Sequence, residues 1–232
     1  MGKLKDKIIL LKRCISFVIQ ENKWQDRERY GMLSASATFR KPLLIADPKG
    51  VFLFPYSRLQ SHAKILNYTG KFILKPYAVC SDNLLVITGN HVPTVGIPQF
   101  FLGNSHINDR ERDVIVEEGA WVGANVTLQS GVIIGRGAVV GSGSVVKTKV
   151  PPYAVVAGNP ARIVASTFSI EQIIEHEKIV FAKEDRMNID ELELLFSKHF
   201  ENMKSIGTSK VKDEDSYKFN EIVKFLETNP YK

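Results

Sequence analysis

A six-residue spacing of branched aliphatic residues between positions 116 and 150 constrains the fold of this chain more than any other feature. The aliphatic positions follow one another without a slip at Val116, Val122, Leu128, Ile134, Val140 and Val146. Four residues after each of them comes a small or β-branched residue: Ala120, Val126, Val132, Ala138, Ser144 and Val150. Helices repeat about every 3.6 residues and ordinary strands alternate every two, so neither element alone explains this period.

The spacing predicts a short strand and a turn, repeated so that successive strands form the sides of a prism. Aliphatic side chains then stack in columns inside the prism, and small residues fill its corners. Glycine recurs at the third position after an aliphatic residue, where a tight turn often needs a positive φ. These glycines are Gly119, Gly131, Gly137 and Gly143. The pattern indicates an all-β solenoid, a parallel β-helix.

A weaker form of the same spacing extends towards the N-terminus and predicts further coils from Val51. The aliphatic position is held by Leu53, Leu59, Ile65 and, after a skip at 67–70, by Leu74, Cys80 and Val86. We therefore predict that Cys80 faces the core as a small hydrophobic residue. Residues 23–50 are polar and interrupted by proline and glycine, so they predict an irregular connection with a first strand in the segment MLSASATF. The β-helix domain is predicted over residues 31–165.

The repeat stops between His91 and Arg112, and no six-residue pattern can be drawn through this segment. It is rich in glycine and proline. Long loops inside a compact domain are usually functional, and a rigid solenoid would hold such a loop in place. The loop 91–112 is therefore the predicted location of a functional site.

Helical patterns flank the predicted solenoid. Residues 1–30 predict an amphipathic helix and a linker, with apolar residues at three- and four-residue spacing over 3–22 and basic residues between them. We expect this helix to pack on its own domain or on another subunit; contact with a membrane surface is the alternative. Residues 166–232 predict a helical extension with helices over 168–176, 189–203 and 215–227. Ser169 with Gln172 forms a capping-box pattern at the first of them.

Composition narrows the function classes. A net charge of +6 suits an anionic small molecule, and the absence of aromatic residues interleaved with basic ones argues against nucleic acid. Cys14 and Cys80 form neither a disulfide framework nor a zinc spacing. No apolar run approaches the roughly 18 residues of a membrane span, and no signal peptide pattern is found. We therefore expect a cytoplasmic protein.

Three motifs in combination resemble a known family. TGNHVPTVG precedes the loop, AWVGAN re-enters the coil and GNPA closes it. Over residues 51–203 the chain resembles the hexapeptide-repeat acyltransferases. More narrowly, it resembles the branch of xenobiotic (streptogramin and chloramphenicol) acetyltransferases and polysaccharide-locus sugar acetyltransferases. The resemblance implies a left-handed parallel β-helix, a homotrimer and acetyl-CoA as the acetyl donor. A prism has three flat sides, and a closed threefold assembly lets neighbouring subunits form deep clefts.

Acetyl transfer needs a base that removes a proton from the acceptor, and histidine titrates near neutrality. The resemblance assigns this role to His91, at the end of the last coil before the loop. Asn90 and His106 are candidate acceptor contacts. No carboxylate can be assigned from the sequence as the group that orients His91. The other histidines, His62, His176 and His199, are expected to be solvated or packed. No metal site is predicted.

Coenzyme A carries a long amide-bearing arm and several phosphates. Small residues along a coil edge would let the arm pair with backbone, and cations near the end of the repeat would bind phosphates. The candidates are Ala124, Ser142, Lys147, Thr148, Lys149 and Arg162. Related acetyltransferases often have Thr-Lys where this chain has Lys147-Thr148.

The acceptor stays open at the level of the sequence. A sugar hydroxyl in cell-surface polysaccharide (O-antigen or capsule) synthesis is the leading interpretation. The alternatives are the amine of a nucleotide-linked amino sugar and an antibiotic hydroxyl. A trimeric β-helix scaffold without catalysis is the non-enzyme alternative.

Overall fold

The computed structural model describes residues 2–23 and 26–228. Short strands form three large sheets and a two-stranded ribbon, and up to β17 the chain adds one strand to each large sheet in turn. The first sheet contains β1 (Met32–Leu33), β4 (Val51–Leu53), β7 (Phe72–Leu74), β12 (Val114–Val116) and β15 (Ile133–Ile134). The second contains β2 (Thr38–Phe39), β5 (Arg58–Leu59), β8 (Val79–Cys80), β13 (Trp121–Val122), β16 (Val139–Val140), β18 (Ala154–Gly158) and β19 (Ala161–Ser166). The third contains β3 (Leu44–Ile45), β6 (Lys64–Leu66), β9 (Leu85–Ile87), β14 (Thr127–Leu128) and β17 (Val145–Val146).

Parallel pairing within each sheet produces the columns that the six-residue spacing predicts. Val122 lies between Cys80 on one neighbouring strand and Val140 on the other. Leu128 in the same way lies between Val86 and Val146. These side chains are at most 1% exposed, so the aliphatic columns form the core. Cys80 faces this core as predicted, and burial raises the pKa of its thiol far above the usual value.

The coil begins earlier than the sequence pattern predicts. Strands β1, β2 and β3 form a complete first coil and pair in parallel with β4, β5 and β6. Leu33, Phe39 and Ile45 occupy its aliphatic positions at six-residue spacing. Residues 32–50 therefore form a regular coil with three strands, where the sequence predicted an irregular connection with a first strand in MLSASATF. This coil covers one end of the prism, so its residues are partly exposed and more polar than those inside the stack.

Extra residues collect at one corner of the prism, between the third sheet and the first. The first insertion contains a short 3-10 helix, Pro48–Gly50, and the second is the skip at 67–70. The buried side chain of Asn67 joins them: its Nδ2 donates to the carbonyl of Asp47, and its Oδ1 accepts from the Asp47 N–H. The loop that follows β9 emerges at the same corner on the next coil. It is therefore the third and longest insertion in one stack.

The described helices are α1 (Gly2–Lys23), α2 (Gln99–Ser105), α3 (Ile170–Val180), α4 (Ile189–His199) and α5 (Ser216–Thr228). The predicted capping box of Ser169 and Gln172 starts α3, although the helix continues beyond the predicted end to Val180. Helix α4 ends at His199, four residues before the predicted end, because the chain turns through Asn202 at a φ of 60°. The parallel sheets, preceded and followed along the chain by helices, agree with the predicted β-solenoid and its helical appendages.

Helix α1 matches the amphipathic helix predicted over 3–22. Its described apolar side chains do not pack on the β-helix: Ile8, Leu11, Ile15 and Val18 are 47–61% exposed. Within the described part of the chain, no helix is both long enough and apolar enough to cross a bilayer.

Candidate active site

A two-stranded antiparallel ribbon forms the base of the loop. Strand β10 (Gly89–Asn90) pairs with β11 (Arg110–Glu111), with Asn90 opposite Arg110. The ribbon brings the two ends of the interruption together above the second insertion, residues 67–70. Continuing the register by one residue places His91 opposite Asp109, so the pairing of backbone strands sets the geometry of the side chains.

One carboxylate joins two histidines at this position. The Nδ1 atom of His91 lies 2.8 Å from Oδ1 of Asp109, and Nδ1 of His106 lies 2.7 Å from Oδ2. The two imidazole rings are 6.0 Å apart and tilted by 44°. The side chains of His91 and His106 are 48% and 66% exposed, whereas Asp109 is 18% exposed. The cluster is therefore anchored on its carboxylate side and open on its imidazole side.

Asp109 is the orienting group that sequence reasoning did not find. Hydrogen bonds from His91 and His106 lower the pKa of its carboxyl group, so the carboxylate is ionised and accepts from both Nδ1 atoms. A donating Nδ1–H leaves Nε2 of His91 without a proton, which is the form that a base requires. Asp109 lies 18 residues after His91, and only the antiparallel ribbon brings them together. The sequence carries no local signal for such a contact.

His106 is held by backbone rather than by a regular strand. It caps α2 in the left-handed conformation, with φ 54° and ψ 27°, and its N–H donates to the carbonyl of Leu102. Leu102 is fully buried and fixes the short helix. A non-glycine residue in this conformation is strained, and such strain often occurs at functional positions. Asn108 is also left-handed, and its Nδ2 donates to the hydroxyl of Thr94 across the loop.

Glu111 fastens the end of the loop to the insertion below it. Its Oε2 accepts from the N–H groups of Thr69 and Gly70 at 2.8 and 2.6 Å, and from the hydroxyl of Thr88 at 3.2 Å. Burial alone would raise the pKa of this carboxyl group, but the hydrogen bonds together outweigh burial and lower it. The carboxylate thus fixes the ribbon on which His91 and Asp109 lie.

A cavity of about 800 Å³ opens beside the two histidines. It contains the predicted site residues Asn90, His91 and His106 together with Asp109. Tyr68, 71% exposed, belongs to the second insertion and forms part of the opposite wall. The corner insertions therefore shape a cleft large enough for a small molecule.

The six predicted coenzyme contacts fall into two groups. Ala124 and Ser142 lie on neighbouring coils, where the Ala124 N–H donates to the Ser142 hydroxyl at 3.2 Å. Thr148, Lys149 and Arg162 line a cleft of about 330 Å³ after β17, whereas Lys147 is exposed and lies outside that lining. Strands β9, β14 and β17 are successive in the third sheet. Their spacing puts the end of β17 about 10 Å along the axis from β9, where the loop begins.

The remaining histidines lie elsewhere. His62 is exposed, at a left-handed turn with φ 62°. His176 packs against the rings of Tyr153 and Phe168, and burial lowers its pKa. His199 lines the cleft with Lys149 and Arg162; burial and then Lys198 lower its pKa. His199 therefore lies beside the candidate phosphate contacts, a position that its place in the sequence does not indicate.

A larger cleft of about 950 Å³ lies between the last coils and α4. Beside it, the buried carboxylate of Glu177 accepts from the Tyr153 hydroxyl at 2.8 Å and from the Met187 N–H at 2.6 Å. Arg136 lies 3.4 Å from the same carboxylate. These contacts join α3 and the segment before α4 to the β-helix, so we interpret this network as structural.

Comparisons with known proteins agree with the repeat pattern. Residues 113–148 match the family model described as bacterial transferase hexapeptide (six repeats). A probable macrolide acetyltransferase from Lysinibacillus sphaericus is 43% identical over 61 residues, which cover 26% of this chain and 34% of that protein. A 2,3,4,5-tetrahydropyridine-2,6-dicarboxylate N-acetyltransferase from Brevibacillus brevis (strain 47 / JCM 6285 / NBRC 100599) is 53% identical over 51 residues, which cover 22% of each protein.

A solved structure supports the same fold. The hexapeptide-repeat-containing acetyltransferase of Vibrio cholerae O1 biovar eltor, complexed with acetyl coenzyme A, has a TM-score of 0.55 and 24% identity. The match covers 63% of this chain and 76% of that protein. The chain spans about a third or less of the length of the two curated relatives. The predicted resemblance to hexapeptide-repeat acyltransferases is confirmed.

Proposed function

We propose that this chain, whose repeat segment is that of the hexapeptide-repeat acyltransferases, transfers an acetyl group from acetyl-CoA to a sugar hydroxyl. One observation carries the proposal: an imidazole oriented by an ionised carboxylate faces an open cavity of about 800 Å³ at the rim of the β-helix. The combination supplies a base, its orienting group and room for an acceptor.

His91 is the proposed general base. Asp109 accepts the Nδ1–H of His91, so Nε2 takes the proton of the acceptor hydroxyl as its oxygen attacks the thioester carbonyl. The tetrahedral intermediate collapses by breaking the C–S bond, and the proton on Nε2 goes to the leaving thiolate. The products are the acetyl ester and free coenzyme A. Asn90 and His106, which line the same cavity, are the proposed acceptor contacts.

The donor is proposed to lie along the coils towards the basic end of the repeat. Ala124 and Ser142 are small enough to leave backbone accessible to an amide-bearing arm. Lys147, Thr148, Lys149 and Arg162 offer cations and a hydroxyl for the phosphates, and three of these residues share one cleft. The separation of about 10 Å between β9 and β17 suits an extended arm that runs between the phosphate end and His91.

The proposal includes the finer features that the family resemblance implies. We propose a left-handed coil, a homotrimer with clefts between subunits and a role in cell-surface polysaccharide synthesis in the cytoplasm. The N-acetyltransferase and macrolide acetyltransferase among the relatives support the two alternative acceptors, an amine and an antibiotic hydroxyl. An amine acceptor with a low pKa would need less help from His91.

Thiol release from acetyl-CoA tests the proposal. We expect release only with a suitable acceptor, found by screening sugars, nucleotide-linked amino sugars and antibiotics including a macrolide. His91→Asn should lower kcat by about 10²–10⁴-fold at saturating acceptor, the usual worth of general base catalysis. His62→Asn, at an exposed histidine outside the cleft, is the matched control. A His91→Asn variant as fast as the parent would refute the assignment, and no release with any acceptor would favour the scaffold alternative.

A further inference from the structure

The two histidines and the aspartate of the cleft present the donor set of a metal centre. His91 and His106 each offer a ring nitrogen and Asp109 offers a carboxylate oxygen, and these three atoms lie within 4.8 Å of one another, the one such cluster found among the described residues. Two imidazole nitrogens and one carboxylate are a common ligand set for Zn²⁺ and related first-row ions. We propose that these residues bind a divalent ion of this class, and that the bound ion switches His91 off as a base.

A modest adjustment of the side chains lets the cluster accept an ion. Nδ1 of His91 lies 2.8 Å from Oδ1 of Asp109, Nδ1 of His106 lies 2.7 Å from Oδ2, and the three candidate ligand atoms lie within 4.8 Å of one another. Metal bonds of about 2.0–2.2 Å put neighbouring ligand atoms about 3.0–3.4 Å apart, so the nitrogen–oxygen contacts must open by a few tenths of an ångström and the widest separation must close by at most about 1–2 Å. Both imidazoles are about half exposed or more, which leaves room for water to complete the coordination shell.

Three elements hold the ligands in place without the ion. The ribbon of β10 and β11 fixes His91 opposite Asp109. Leu102 and α2 fix His106, whose backbone is held in a strained left-handed conformation. A rigid set of ligands loses little freedom on binding, which favours affinity. The left-handed His106 is also an independent sign that this position is shaped for function.

Electrostatics favour a cation at this point. The Asp109 carboxylate lies 2.7–2.8 Å from the Nδ1 atoms of both histidines and brings a negative charge to the cluster. The neutral form of imidazole is the one that binds metals. On binding, the proton on each Nδ1 moves to Nε2 of the same ring, and each nitrogen lone pair goes to the ion. The charge of the site rises by the charge of the ion alone.

The bound ion inhibits because it moves this proton. The inference rests on the proposed function of His91 as the general base. In the metal-free cleft, Asp109 keeps the proton on Nδ1 and leaves Nε2 free to accept another. With an ion on Nδ1, Nε2 carries the proton and cannot take one from the acceptor. The metal and the general base therefore exclude each other at one residue.

Binding of Co²⁺, a spectroscopic substitute for Zn²⁺, tests the site without any acetyl donor. Chelator-treated, tag-free protein is titrated with Co²⁺, and Zn²⁺ is then added to displace it. We expect visible absorption bands that saturate at one ion per chain and vanish with Zn²⁺. Asp109→Asn and His106→Asn should weaken binding by more than roughly 100-fold, since even outer-shell partners of a metal are worth 10–100-fold. His62→Asn should bind as the parent does.

Both variants preserve the backbone, because Asn has the shape of Asp and tolerates the left-handed conformation of residue 106. Far-ultraviolet circular dichroism checks their folding. No saturable Co²⁺ bands in the parent, or equal binding by the parent and both variants, would overturn the metal site.

Enzyme rates with and without Zn²⁺ test the switch. We expect Zn²⁺ to lower kcat of the parent at least about tenfold. At the same Zn²⁺ concentration, the His106→Asn variant should have nearly the same kcat with and without the ion. Equal inhibition of parent and variant would overturn the switch. The Co²⁺ measurement and the His91→Asn rate are independent, so failure of the metal site and failure of the proposed function are distinguishable.

Discussion

The carboxylate of Asp109 is shared by two imidazoles, and this sharing decides what each can do. Oδ1 faces His91 and Oδ2 faces His106, so neither ring displaces the other. Both rings present Nδ1 to this carboxylate. Only His91 directly follows the strand ribbon, whereas His106 depends on a seven-residue helix. We therefore assign the base to the more rigidly placed ring and acceptor contact to the other.

Glu111→Gln tests whether the loop is fastened by a charged acceptor. The amide cannot replace the Oε2 contacts of Thr69 and Gly70 fully, so we expect a loss of about 1–3 kcal/mol at neutral pH. The folded pKa of Glu111 lies below the unfolded value of about 4.3. Its stabilising contribution is therefore complete above that pH and is lost as the pH falls through the folded pKa.

The difference between parent and Glu111→Gln in urea unfolding should accordingly be larger at pH 7 than near pH 3. Protein concentration must be the same in all measurements, because association also changes apparent stability. A difference that does not change between the two pH values would show that the carboxylate charge is not what holds the loop.

Alanine substitutions at Gly137 and Gly143 separate the cost of a positive φ from the cost of crowding a buried side chain. Both have positive φ, 62° and 74°, which costs an alanine roughly 1–2 kcal/mol. A Cβ at 137 would also lie 2.5 Å from the ring of Tyr153, which is fully buried and held by Glu177, whereas no atom lies within 4 Å at 143. Gly137→Ala should therefore cost about 1–3 kcal/mol more than Gly143→Ala in chemical unfolding. Equal losses would mean that Tyr153 moves aside.

The left-handed turns of the coils could be predicted from the sequence only where they contain glycine. In the regular repeat over residues 116–150, the structure confirms a positive φ at all four predicted glycines. In the upstream coils, the equivalent turns use Tyr56, Tyr77, His62 and Asn83, each with positive φ. Stacking of the rings of Tyr56 and Tyr77, 5.6 Å apart, accompanies this conformation. Such turns depend on tertiary contacts, so their residue types gave no signal.

At the scale of elements, three insertions at one corner build the site. Each lies on the one before: Asn67 holds the first two together, and Glu111 holds the second to the loop. The position of the long loop was predictable, because the six-residue spacing fails there. Helix α2 and the contact of His91 with Asp109 were not predictable, because one is too short to show a period and the other is non-local. The first coil was missed because Pro42, Pro48 and exposed residues obscure Leu33, Phe39 and Ile45.

Leu102→Ala tests whether one buried side chain holds the loop. Leu102 is fully buried, and its loss should cost about 2–5 kcal/mol locally. We expect faster hydrogen exchange over 99–109 and a lower kcat, while exchange in the strands of the prism stays the same. Phe101→Ala, at a neighbour that is 59% exposed, is the control. Unchanged exchange over the loop in Leu102→Ala would show that the ribbon alone positions His106.

At the scale of the whole molecule, the prism separates two tasks along its axis. The loop cleft lies at β9 and the basic cleft after β17, two strand spacings apart in the same sheet. Columns of buried aliphatic residues keep this distance fixed, because each strand pairs in register with the next. Under the proposed function, the regular repeat would hold the acceptor cleft and the proposed phosphate contacts at a fixed distance, and the interruption would supply the chemistry.

Helix α1 exposes its described apolar side chains in the single chain. Its described apolar side chains are about half exposed or more, although the sequence predicts an apolar stripe at three- and four-residue spacing. From the sequence we expect this helix to pack on its own domain or on another subunit. Because the described stripe does not pack on its own domain, we expect it to pack on a second copy of the chain. Deletion of residues 2–23 should then leave the thermal unfolding midpoint of the β-helix unchanged when both forms are compared in the same oligomeric state, because the described side chains of α1 lie outside its core.

The same deletion should weaken association between copies, which light scattering over a dilution series measures. Full-length protein should stay assembled at lower concentrations than the truncated form, because the exposed stripe buries apolar surface between subunits. Co-sedimentation with anionic liposomes tests the alternative, in which the basic amphipathic helix binds a membrane surface instead of another subunit. If both forms dissociate at the same concentration and only the full-length chain sediments with liposomes, the partner of α1 is a membrane surface and not another subunit.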